Sequence, residues 1–133
     1  MGTTSPLTQE QQRRVRERLL AERQQARRDL ADAQQRLRAA AREAERAVAR
    51  EQADWAAYEP HDGQPGHLSH PAYTRWAVSH ADHARAAQAH LLAHDRVAQL
   101  QARVAHLYAP GTLDERLQVR AANEQKFAGM GAA

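Results

Sequence analysis

The chain has 133 residues, 42% of them hydrophobic but only 5% aromatic, with 19 basic residues against 16 acidic and no cysteine. That length suits a single domain with a modest core, and the lack of cysteine excludes a disulfide framework, a thiolate metal site and a cysteine nucleophile. Because alanine makes up most of the hydrophobic share, large apolar side chains for a core are scarce.

No stretch approaches the roughly 18 apolar residues of a membrane span, and Met1 to Thr8 lack the charged-then-apolar order of a secretory signal. These features lead us to expect a cytoplasmic protein with no membrane partner. The net charge of +3 is unevenly spread, since residues 1–50 hold 12 Arg against 7 acids and residues 51–133 hold 7 basic residues against 9 acids.

Between Thr8 and Tyr58 there is neither Pro nor Gly, and strong helix formers dominate, which predicts one helix over 8–58. Thr8 is the candidate N-cap, and Glu10 places a negative charge in the first turn. A stripe runs through Val15, Leu19, Glu22, Ala26, Leu30, Ala33, Leu37, Ala40, Ala44, Val48, Glu51, Trp55 and Tyr58. Its twelve steps cover 43 residues, about 3.6 per step, so the expectation is a nearly straight helix rather than a tightly wound zipper.

The stretch 59–70, with two prolines and two glycines ahead of Pro71, cannot continue the helix and reads as the turn. A second helix is predicted over 71–108, opened by Pro71 and stopped at Ala109-Pro110-Gly111. A short third helix over 113–127 follows, where Thr112 and Glu115 form a capping-box pattern, and 128–133 reads as a flexible tail. At ~1.5 Å per residue the first helix reaches roughly 75 Å and the second roughly 57 Å, leaving the third to fold back over the start of the first. The predicted fold class is all-α: one domain, a long antiparallel two-helix hairpin of coiled-coil-like character with a short third helix. Alanine along the seam buries little area, which predicts self-association into a bundle, with a dimer expected.

Three constellations are candidates for function. Trp55, Tyr58, Tyr73 and Trp76 meet at the tip, as a packing plug or, if solvent-facing, as a surface for another protein. His80, His83, His90 and His94 fall within an arc of about 80° at 100° per residue. Such spacing suits zinc or another transition metal, or a pH response; no HExxH or Glu-x-x-His pattern accompanies it, and the expectation is no cofactor. Arg38, Arg42, Arg46 and Arg50 recur every four residues as candidate phosphate contacts for nucleic acid, although acids interrupt the basic face. No nucleophile elbow, phosphate loop or dinucleotide motif is present, so no enzymatic activity is expected.

Residues 7–30, LTQEQQRRVRERLLAERQQARRDL, resemble the first helix of the DksA/TraR class, hairpin proteins that enter the secondary channel of RNA polymerase. That class carries a cysteine zinc finger and paired tip aspartates that this chain lacks, so no residue roles carry over. The leading reading is a non-catalytic protein-interaction or structural module. The alternatives are a nucleic-acid accessory protein and a histidine-rich metal-binding bundle.

Overall fold

The computed structural model describes residues 7–131, without the side chains of residues 130 and 131. Helix α1 spans Gln9–Tyr58, α2 spans Pro71–Tyr108 and α3 spans Thr112–Gly131, with two short 3-10 turns, Glu59–His61 and His67–Ser69, between α1 and α2. The described residues contain no strand, so the fold is all-α as expected, and none of these helices is long and apolar enough to cross a membrane.

The helix ends show why the chain breaks where it does. Thr8 Oγ1 accepts from the Gln11 amide at 3.1 Å, while Gln11 Oε1 accepts from the Thr8 amide at 2.9 Å, a reciprocal capping box that satisfies two donors. In the turn, Gly63 (φ 75°) and Gly66 (φ 74°) hold left-handed backbone that L side chains rarely adopt. His70 then caps α2, its Nδ1 accepting from the Ala72 amide at 3.0 Å.

The capping box expected at the third helix is not formed. Thr112 lies inside α3, its buried hydroxyl donating to the His106 carbonyl at 2.8 Å, and the Glu115 amide donates to the Gly111 carbonyl at 2.9 Å. Thr112 thus satisfies a carbonyl freed at the end of α2, a stronger demand in a buried site than its own helix start. The tail expected over 128–133 is helical through Gly131, since nothing after Thr112 breaks the helix with proline; Ala132 and Ala133 lie outside the described residues.

Contacts divide the chain into two units. The turn unit is Ala31–Gln99; the terminal unit joins residues up to Leu30 with those from Leu100 onward. In the turn unit the inward positions of α1 are Ala33, Leu37, Ala40, Ala44, Ala47, Glu51, Asp54 and Tyr58, all buried or half-buried. Those of α2 are Ala72, Trp76, Ser79, His83, Ala86, His90, Ala93 and Val97. Both series alternate steps of four and three, the rhythm that keeps one stripe facing its partner. This corrects the 3.6-residue stripe at two places, because that slower rhythm drifts: Ala47 and Asp54 point inward where Val48 and Trp55 were expected.

The terminal unit has the larger side chains. Leu19, Ala26 and Leu107 form its buried cluster, with Val104 and Leu113 packed against it. Arg23 Nε donates to the Leu107 carbonyl at 2.6 Å, Arg23 and Arg27 lie over the Tyr108 ring at 5.0 and 5.2 Å, and Arg116 pairs with Glu22 at 2.7 Å. The α3 helix therefore packs on the start of α1, as its length predicted.

Leu19 is 2% exposed, and Leu19→Ala is expected to cost about 2–4 kcal/mol in urea unfolding, whereas Leu20→Ala on the exposed face should change stability by less than about 0.5 kcal/mol. Equal effects of the two substitutions would refute this placement of the core.

Candidate functional site

The turn unit gathers most of the residues singled out in the sequence. At its closed end Trp55 meets Trp76 edge-on at 5.3 Å, Tyr58 meets Tyr73 edge-on at 5.4 Å, and Tyr58 stacks with Trp76 at 6.1 Å. Tyr58 is 2% exposed and its hydroxyl donates to Asp62 Oδ1 at 3.0 Å. Burial first, and then the Asp62 carboxylate, push the Tyr58 hydroxyl above its ordinary pKa. Tyr73 and Trp76 are half-buried, and Trp55, 36% exposed, is the ring most open to solvent. Each such ring pair adds about 0.5–1.5 kcal/mol beyond area burial.

One turn further along, the seam turns polar. Glu51 of α1 reaches across to α2, where His80 Nδ1 meets Oε1 at 2.7 Å and His83 Nδ1 meets Oε2. Beside it the Ser79 hydroxyl donates to Asp54. His80 also stacks on Trp76 at 5.2 Å, so the aromatic plug and the polar pair form one continuous contact. Glu51 is only 18% exposed at its side chain. Hydrogen bonds from His80, then from His83, hold its carboxyl below the ordinary value of 4.5.

The histidine set is thereby split. His80 and His83 share Glu51; His90 is half-buried in the seam and His94 exposed, and neither makes an ion pair, hydrogen bond or ring contact among the described residues. His67 and His70, three residues apart in the turn, also have separate partners: His67 Nδ1 meets the Gln64 carbonyl at 2.7 Å, whereas His70 caps α2 and stacks on His61 at 3.9 Å. Among the described residues no group of three or more His, Asp or Glu side chains is arranged to hold a metal ion.

The arginine row is likewise divided. Arg46 and Arg50 both pair with Glu43, at 2.9 and 3.0 Å, which draws the Glu43 carboxyl below its ordinary value. Arg38 and Arg42 are exposed and make no ion pair among the described residues.

Sequence reasoning missed Glu51 and Asp54 as cross-helix partners. A signal existed for the first, since Glu51 was one of only two charged residues on the α1 stripe, the other being Glu22, and each proves to be anchored to another helix. No known family model, curated protein or solved structure is significantly similar to this chain.

Because its folded pKa is depressed, Glu51 adds stability that is present above the unfolded carboxyl value and lost as pH falls below 4.5 toward the folded pKa. Glu51→Gln is therefore expected to destabilise the protein at neutral pH, and the gap from wild type should narrow as pH falls through that acid window. A gap measured by urea unfolding that stays constant down to about pH 3 would contradict the assignment.

Proposed function

We propose that this chain is a non-catalytic helical assembly module that pairs with a second copy of itself through the outer face of α2. The observation that carries this reading is an inverted distribution of large apolar side chains. Among the described residues the larger apolar side chains that are buried are Leu19, Tyr58, Val97, Leu100 and Leu107, whereas nine are exposed, among them Leu91 at 61%, Leu92 at 59% and Val78 at 55%.

On α2 the positions Val78, Ala81, Arg85, Gln88, Leu92 and Asp95 are all exposed and repeat at alternating steps of three and four. At 100° per residue they lie on the side of α2 away from Ser79, His83, Ala86 and His90. This outer row has the same rhythm as the seam, as a coiled-coil face would. It is also self-complementary in charge. Arg85 and Asp95 stand five residues either side of position 90, and Gln88 and Leu92 two residues either side. An antiparallel two-fold pairing about that point sets Arg85 of each copy against Asp95 of the other and covers both Leu92 side chains. Arg85 has a local partner in Asp82, an exposed pair on one helix turn, which contributes little and does not compete strongly.

Sedimentation velocity at micromolar concentration is expected to give a dimer, with Leu92→Asp a folded monomer. Arg85→Asp should weaken the dimer, and Arg85→Asp combined with Asp95→Arg should restore it. A wild-type monomer at ~100 µM would sink the reading, where a dimer of even millimolar affinity would begin to show. A dimer indifferent to Leu92→Asp would move the interface off this face.

A further inference from the structure

We propose that the terminal unit holds a binding site for an amphipathic organic anion, a single carboxylate-type head on a short apolar body. The site is a cavity of about 500 Å³ walled by the start of α1, the end of α2 and the first half of α3. That volume is in the range of small-molecule pockets, which combine an apolar surface with a few placed polar groups.

Both ingredients are present. Val15 from α1 and Val119 from α3 supply the apolar part, Val119 being left 55% exposed. Arg14 and Arg18 on α1 and Arg116 and Arg120 on α3 line the same cavity, against only two lining carboxylates, Glu22 and Glu115. Glu22 is already committed to Arg116 at 2.7 Å, and that hydrogen bond holds its carboxyl below the ordinary value. The acids that steady Arg14 and Arg120 are Glu10 and Glu124, which lie outside the lining.

The side chains of Arg18 and His106 make no ion pair or hydrogen bond among the described residues, although the Arg18 charge helps to lower the Glu22 carboxyl from a distance. The cavity thus carries surplus positive charge, four guanidiniums against two carboxylates, and of the four Arg18 alone has no ion-pair partner among the described residues. An arginine fork matches a carboxylate in shape as well as charge. An anionic head on Arg18 and Arg120, with its body on Val15 and Val119, satisfies both halves of the surface. A bare inorganic anion would satisfy only one.

The test is a ¹H–¹⁵N NMR titration of the full chain with octanoate, with acetate as the head-only control. Octanoate is expected to shift the amides of Val15, Arg18, Val119 and Arg120 saturably, and acetate to leave them nearly unmoved. Arg18→Gln and Arg120→Gln, both at exposed positions where folding should persist, should together weaken octanoate binding by about tenfold or more. Val119→Asp, which removes apolar surface and adds negative charge, should abolish it. Non-saturating shifts, equal shifts with acetate, or affinity unchanged in the double arginine variant with a wild-type spectrum would each overturn the proposal.

Discussion

Alanine is the commonest residue in the seam of the turn unit, filling seven of its sixteen inward positions, and much else follows from that. Ala33, Ala40, Ala44 and Ala47 on α1 face a row on α2 that includes Ala72, Ala86 and Ala93. Each methyl contributes little when buried, but small side chains let two helix backbones come close. A seam of this kind leaves the register weakly specified, because one alanine replaces another when a helix slides. Specificity has to come from a few anchors, and these sit together near the turn. The ring cluster of Trp55, Tyr58, Tyr73 and Trp76 passes directly into the Glu51 carboxylate shared by His80 and His83. A slide by one heptad would separate every one of these partners.

The terminal unit solves the same problem with other means. Leu19 and Leu107 supply real volume, and the Glu22 to Arg116 pair fixes α3 on α1. Here the carboxylate meets a guanidinium, a charge that persists at any ordinary pH. In the turn unit it meets the imidazoles of His80 and His83. The two units therefore share an anchoring logic, a carboxylate on the α1 stripe gripping another helix.

How much of this could be read from the residues depends on the distance over which each signal acts. Helix boundaries rest on local chemistry, and Pro71, Pro110 and the Thr8 cap placed them to within a residue or so at most ends. The third helix ran longer than expected because a glycine-containing end lacks a proline stop, and Thr112 did not cap because its competing acceptor, the His106 carbonyl, lies in another helix. The aromatic cluster was legible because a short turn must bring the ends of its helices together. The partition of the histidines was not, since a 100° wheel places four of them on one arc but cannot say which meet a carboxylate across the seam. Glu51 and Glu22 were visible as charged breaks in an apolar stripe, although their partners were not.

The central claim is that a seam this thin leaves the single chain folded but only modestly stable, with pairing through the outer face of α2 adding to its stability. The most direct measurement is the urea midpoint of unfolding as protein concentration is raised a hundredfold. If folding is coupled to pairing, the midpoint should climb with concentration, by an amount equivalent to at most about 2.7 kcal/mol. A midpoint independent of concentration would mean that each chain stands on its own seam, and the account would be wrong at its base.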